Sequence, residues 1–162
     1  MLIHLRSDVE RKRLLGLPAL ARTTGNAYSG KHSEATYKQL ASKTAEVLDA
    51  GYCAMVDATF LHRADRLHFK ELARSAEVDF LIINVRADEQ AMRTRIRERL
   101  ETQQDPSEAD ESVLDSQLAA DEPLSADERQ YSINFENSVH RQPKDLDTSI
   151  RSILARVKRQ HP

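Results

Sequence analysis

One cysteine, no tryptophan and four glycines in 162 residues set the first limits on this chain. A lone Cys53 can form no intramolecular disulfide and no cysteine-based metal site, which points to a reducing compartment, the cytoplasm. No stretch approaches the roughly 18 consecutive apolar residues of a transmembrane helix. The opening Met1-Leu2-Ile3-His4-Leu5-Arg6-Ser7-Asp8 turns acidic at once and lacks the apolar core of a secretory signal. The histidines show no paired metal-ligand spacing: His62 and His68 fall on different faces of a helix. No Ser/His/Asp or Cys/His arrangement, internal repeat or low-complexity segment is present. The net charge of −2 argues against a protein built mainly to bind nucleic acid or anionic membrane. What remains, 40% apolar and 31% charged, is an ordinary globular composition sized for one domain with a core.

The apolar pattern supplies the elements. Leu2–Leu5, Cys53–Asp57 and Phe80–Val85 read as short strands, apolar on consecutive positions as in a sheet covered on both faces. Tyr131–Phe135 alternates like a fourth. Ser7 with Glu10 has the capping-box spacing, predicting a helix from Asp8 to about Leu15 that Gly16 ends. Residues 16–32 read as a loop. Ser33 is expected to cap a long helix carrying Tyr37, Leu40, Ala41, Thr44, Val47 and Leu48, with Gly51 as its C-cap glycine. Further helices are expected over His62–Ser75, from about Asp88 to Thr102, from Ser107 onward, and over Leu146–Val157, with a short turn capped by Ser125 and Glu128. Strands alternating with helices imply a mostly parallel sheet in an α/β fold.

Two of the strands deliver an aspartate at the carboxyl end, where open α/β sheets bind ligands. Asp8 and Arg11 share the first turns of the helix after Leu2–Leu5. A carboxylate there can take the proton of a hydroxyl attacking a phosphoryl group, and the arginine can hold substrate or phosphate oxygens. The same pair also suits a plain helix start, with Asp8 favouring the dipole and Arg11 solvated. Asp57 closes the second strand, a position suited to Mg²⁺ or its water shell, and Thr59 can add a hydroxyl. The alternative is a turn aspartate. Arg93, Arg95, Arg97 and Arg99 lie on a polar helix, Arg93 with Arg97 on one side and Arg95 with Arg99 on another. One side suits a lid over phosphates; the alternatives are a solvated helix laced by Glu98 and Glu101, or a nucleic-acid patch. Gly25-Asn26-Ala27-Tyr28-Ser29-Gly30-Lys31 matches the start of a phosphate loop. The next residue, however, is His32 rather than Ser or Thr, and no apolar strand precedes it.

The succession Leu5–Arg13, Tyr28-Ser29 with Ser33-Glu34-Ala35-Thr36-Tyr37, Val56-Asp57-Ala58-Thr59-Phe60 and Asp105-Pro106-Ser107-Glu108-Ala109-Asp110 resembles a group of P-loop kinases. These are the AAA-type ATP-binding proteins related to zeta toxins and polynucleotide kinases, often fused behind an aminoglycoside-phosphotransferase-like domain. The resemblance runs over nearly the whole chain. It implies a three-layer fold with a mostly parallel sheet, ATP and Mg²⁺ as cofactors, and a small-molecule or nucleotide-type hydroxyl acceptor. It makes Asp8 the catalytic base and Arg11 its anchor, Asp57 and Thr59 the metal support, and Arg95 and Arg99 the cofactor-binding lid. Such proteins carry a strand, a glycine-rich Lys-Ser/Thr loop and a helix before the segment matching Leu2–Leu5, a unit of roughly 30 residues. This sequence has none. The expectation is a single incomplete kinase-like domain over residues 1–162, the C-terminal portion without its first strand and phosphate loop. On that basis it is an inactive phosphotransferase domain, or a non-catalytic remnant acting as an interaction or binding module.

Overall fold

The computed structural model describes residues 1–23, 30–102 and 104–137. Among these residues five helices are interspersed with four strands: β1 (Leu2–Arg6), α1 (Ser7–Leu14), α2 (Gly30–Asp49), β2 (Cys53–Asp57), α3 (Arg63–Ser75), β3 (Ile82–Arg86), α4 (Glu89–Thr102), α5 (Glu111–Ala120) and β4 (Ser132–Glu136). The architecture is α/β, as the alternation predicts. Both strand pairings are parallel, β1 with β2 and β3 with β4, so the four strands form two two-stranded sheets. The sheets fall in two compact units, Met1–Val78 with Ile96–Pro123, and Asp79–Arg95 with Leu124–Pro162.

In the first unit α2 is the central helix, packed on α1, β1, β2 and α3. Thr36, Leu40, Ala41 and Thr44 recur at helical spacing and are all buried. The two threonines donate their hydroxyls to the carbonyls of His32 and Leu40, each at 2.7 Å. That local bond lets α2 bury polar groups without leaving them unsatisfied. Leu40 is fully buried, a contribution of about 1.5–3 kcal/mol for such a side chain. Leu5, Phe69, Ala73, Ile96 and Leu114 join them in the core of this unit. Three helices here end alike. The residue after each last turn has positive φ, Gly16 at 69°, Gly51 at 77° and Glu77 at 54°. The next N–H reaches back five residues, Leu17 to Lys12, Tyr52 to Val47 and Val78 to Ala73, each bond 2.9–3.1 Å long.

In the second unit the paired residues Asn84 and Asn134 join side chains across the sheet at 2.9 Å. The 3-10 turn Glu128–Tyr131 leads into β4. The expected capping box forms there: Ser125 N–H donates to Glu128 Oε2 at 2.8 Å and Glu128 N–H to Ser125 Oγ at 3.4 Å.

Three helix starts differ from expectation. α1 begins at Ser7, straight out of β1, with Arg6 in the cap position and no side-chain cap. Glu10 turns instead to the Arg13 guanidinium, a charge-assisted bond stronger than a neutral cap. α2 is already under way at Gly30, so Ser33 sits inside it and the loop ends earlier than read. α5 is capped by Asp110, whose Oδ1 accepts from Val113 N–H at 3.0 Å, whereas Ser107 N–H is held by Asp105 at 2.8 Å. The helix read over Leu146–Val157 and the Gly25–Ser29 stretch lie outside the described residues. Among those described, no helix is long and apolar enough to cross a membrane.

Candidate functional site at the strand ends

β1 and β2 lie side by side with Arg6 opposite Asp57 as their last paired residues. Asp8 follows Arg6 by two residues, in the first turn of α1. Parallel pairing therefore brings both aspartates to the carboxyl end of one sheet, the rim where ligands bind in such folds. Asp8 Oδ1 and Arg11 Nη1 are 2.5 Å apart, with both side chains largely buried. The three-residue spacing on one helix face makes this pair. Arg11 is 11% exposed, so it is no solvated surface residue. The pair holds the Asp8 carboxylate in one orientation at the rim.

Asp57 is fixed across strands. Its Oδ2 lies 3.3 Å from His4 Nε2 and 3.6 Å from Arg6 Nε, at the open side of the rim. Arg6 reaches the other way as well: its Nη2 lies 3.2 Å from both carboxylate oxygens of Asp105. Burial alone would raise the Asp105 carboxyl. The Ser107 N–H, the Arg6 hydrogen bond and the Arg6 and Arg99 charges outweigh it and hold the carboxyl below its ordinary value.

The turn after Asp57 is strained. Phe60 has φ 45°, a left-handed value that a bulky residue adopts only when its surroundings hold it there, at about 1–3 kcal/mol. Tyr37 OH accepts the Phe60 N–H at 2.9 Å, and Arg66 Nη1 donates to the carbonyls of Phe60 and Leu61 at 2.9 and 3.2 Å. The Phe60 ring stands edge-on between Tyr37 and Phe69, with centroids 5.4 and 5.1 Å away. Thr59 Oγ1 points to the same Tyr37 hydroxyl at 3.5 Å. Burial pushes the Tyr37 phenol above its ordinary value. Tyr37 and His4 went unread in the sequence as site residues because each acts on a partner far along the chain; Arg66, five and six residues from the carbonyls it holds, went unread as well.

The arginines of α4 divide. Arg93 pairs with Glu89 and Arg97 with Glu111, rather than with Glu98 and Glu101. Arg95 Nη2 donates to the Asn137 carbonyl at 2.6 Å within the second unit. Arg99 Nη2 donates to the Ala109 carbonyl at 2.7 Å within the first. Both residues read as a lid thus hold backbone carbonyls.

A search among curated proteins finds no match. A family model described as AAA domain matches residues 2–124, which takes in both aspartates, the strained turn, α4 and the 105–110 segment. With its parallel α/β fold, the chain belongs to this AAA domain family of P-loop NTPase-like kinases.

Proposed function

We propose that this chain carries the acceptor side of an ATP-dependent phosphotransferase. The observation that carries the reading is the rim itself, two aspartates at the ends of neighbouring parallel strands in a chain of a nucleotide-binding, kinase-like family. Asp8 takes the proton of the acceptor hydroxyl as it attacks, and Arg11 orients that carboxylate and the oxygens around it. Asp57 supports a metal through the carboxylate oxygen that His4 and Arg6 leave uncontacted among the described residues. No group of three or more His, Cys, Asp or Glu residues suited to a metal occurs among those residues. A magnesium ion carried on nucleotide phosphates, however, needs only one or two protein carboxylates. Thr59 serves the turn more than the metal, since its hydroxyl faces Tyr37. Bound nucleotide would supply the phosphoryl group. Among the described residues no glycine-rich loop offers a cradle of backbone N–H groups for its phosphates, and the residues at the rim suit the acceptor half of the reaction. The lone Cys53, exposed and free, suits a reducing compartment such as the cytoplasm.

Two measurements test this. Calorimetry of the chain with Mg-ATP is expected to show no binding; micromolar affinity would overturn the division into halves and redirect the search to residues 25–31. Joined to a strand, glycine-rich loop and helix, the chain is expected to transfer phosphate from labelled ATP. Asp8→Asn should then slow transfer by about 10²–10⁴-fold, the usual contribution of a general base. Transfer unchanged by that substitution removes Asp8 from its role.

A further inference from the structure

We propose that a basic pocket beside the rim binds a phosphate group already present on the acceptor, so that the substrate is a phosphorylated hydroxyl compound. The proposal rests on the acceptor-side reading above. The pocket lies within the first unit and is lined by Lys12, Leu20, Arg22, Arg99, Asp105 and Ser107, among others.

Its charges are unevenly matched. Lys12 is buried, donates to the Ala21 carbonyl at 2.6 Å and lies 3.6 Å from Glu108. Both oxygens of Asp105 are taken by Arg6. Arg99 acts on Asp105 through its charge but makes no ion pair among the described residues. Its one hydrogen bond goes to the Ala109 carbonyl, and its Nε is buried with no partner among those residues. An unsatisfied guanidinium N–H is unfavourable, and a phosphate oxygen is a partner that this planar, charged donor fits well. Arg22 stands half exposed at the mouth, 3.9 Å from Glu108 and hence loosely held. The Ser107 hydroxyl adds a neutral donor.

Position ties the pocket to the chemistry. Lys12 is four residues after Asp8 on α1, on the same helix face, about one helical turn of 5.4 Å further along. Arg6 links Asp105 in the pocket wall to Asp57 at the rim. The proposal places the phosphate at Arg99 and Arg22 and a hydroxyl of the same compound at Asp8. Sugar phosphates and nucleoside monophosphates have that layout.

The test needs no ATP, so its failure is separable from failure of the phosphotransferase reading. Ribose 5-phosphate, ribose and inorganic phosphate are titrated into the ¹⁵N-labelled chain while the arginine Nε–H signals are followed. Ribose 5-phosphate is expected to saturate in the millimolar range and shift the Arg99 signal, ribose to do nothing, and inorganic phosphate to bind more weakly. Arg99→Gln should weaken binding about tenfold, the loss of a charge-assisted hydrogen bond. Should that variant fail to fold, the exposed Arg22→Gln reports instead, with a smaller loss. Equal affinity for inorganic phosphate would overturn the acceptor assignment. No saturation, or affinity unchanged in the variants, would overturn the pocket.

Discussion

The turns after β1 and β2 deliver a carboxylate to the same rim by opposite means. After β1 the chain enters α1 with no intervening loop, and Asp8 is oriented by Arg11 three residues on. After β2 it passes through a left-handed Phe60 that groups on two helices maintain, the Tyr37 hydroxyl from α2 and the Arg66 guanidinium and Phe69 ring from α3. Asp57 itself is oriented by His4 and Arg6 of the neighbouring strand. The first carboxylate is placed locally and the second collectively. A local placement survives damage elsewhere, and a collective one fails when any member is lost.

The largest effect expected from this contrast is at Arg66. It is 5% exposed and holds two carbonyls of the strained turn. Arg66→Ala should cost about 3 kcal/mol, since two part-buried carbonyls lose a charged donor and the strain at Phe60 loses its restraint. Tyr37→Phe, which removes the acceptor of the Phe60 N–H and the longer contact with the Thr59 hydroxyl, should cost about 1–2 kcal/mol. Urea unfolding measures both. Amide shifts should move at Thr59 and Phe60 while those of Asp8 and Arg11 stay in place. Shifts spreading equally to Asp8 would erase the distinction between the two turns.

The same contrast explains what could be read in advance. The bounds of β2 were legible to the residue, because an apolar run bounded by Gly51 and the turn after Asp57 has few other solutions, but the strand is exposed at alternate positions rather than covered on both faces. The Asp8–Arg11 pair was legible because helix spacing alone brings it together. The capping box at Ser125 and Glu128 formed, while the identical spacing at Ser7 and Glu10 did not, since Arg13 offers Glu10 a charged partner. Sequence spacing cannot rank such competitors. Tyr37 appeared as an apolar position on α2 and in the motif shared with the kinases, and Arg66 was not singled out at all. Their roles depend on which helix packs over the end of β2, a matter of tertiary contact that spacing does not encode. The single sheet expected of four strands is found as two pairs for the same reason: strand order is a long-range property.

Acid should loosen the support of the first turn at a smaller cost. Glu108 accepts from the Thr23 N–H at 3.0 Å and its hydroxyl at 2.7 Å and lies 3.6 Å from buried Lys12, fastening the loop after α1. Burial acts to raise its carboxyl, but the Thr23 bonds and the Lys12 and Arg22 charges prevail, leaving it below the ordinary 4.5. A carboxyl lowered in the folded state adds stability above its unfolded value and loses it as pH falls through the folded one. Wild-type stability should therefore drop as pH goes below about 4.5. Glu108→Gln should cost about 1–2 kcal/mol at neutral pH and almost nothing once the wild-type carboxyl is protonated. A cost that stays constant across this range would mean that shape, not charge, fastens the loop.

The smallest effect sharpens the contrast between local and collective placement at the helix ends. Gly51 and Glu77 occupy the same left-handed position after α2 and α3, closed by the same five-residue back-bond. Glycine takes that conformation freely, whereas a residue with a side chain is strained by about 1 kcal/mol. A Cβ at Gly51 would meet nothing within 4 Å, so Gly51→Ala tests the backbone cost alone and should destabilise by about 1 kcal/mol. Glu77→Gly should do the reverse, stabilising by about 0.5–1 kcal/mol after glycine's greater entropy in the unfolded chain is counted. Both would be measured as shifts in urea midpoint at constant slope. If Glu77→Gly destabilised instead, the Glu77 side chain would have to be a stabilising contact in its own right. The end of α3 would then join the turn after β2 among the features built from distant partners.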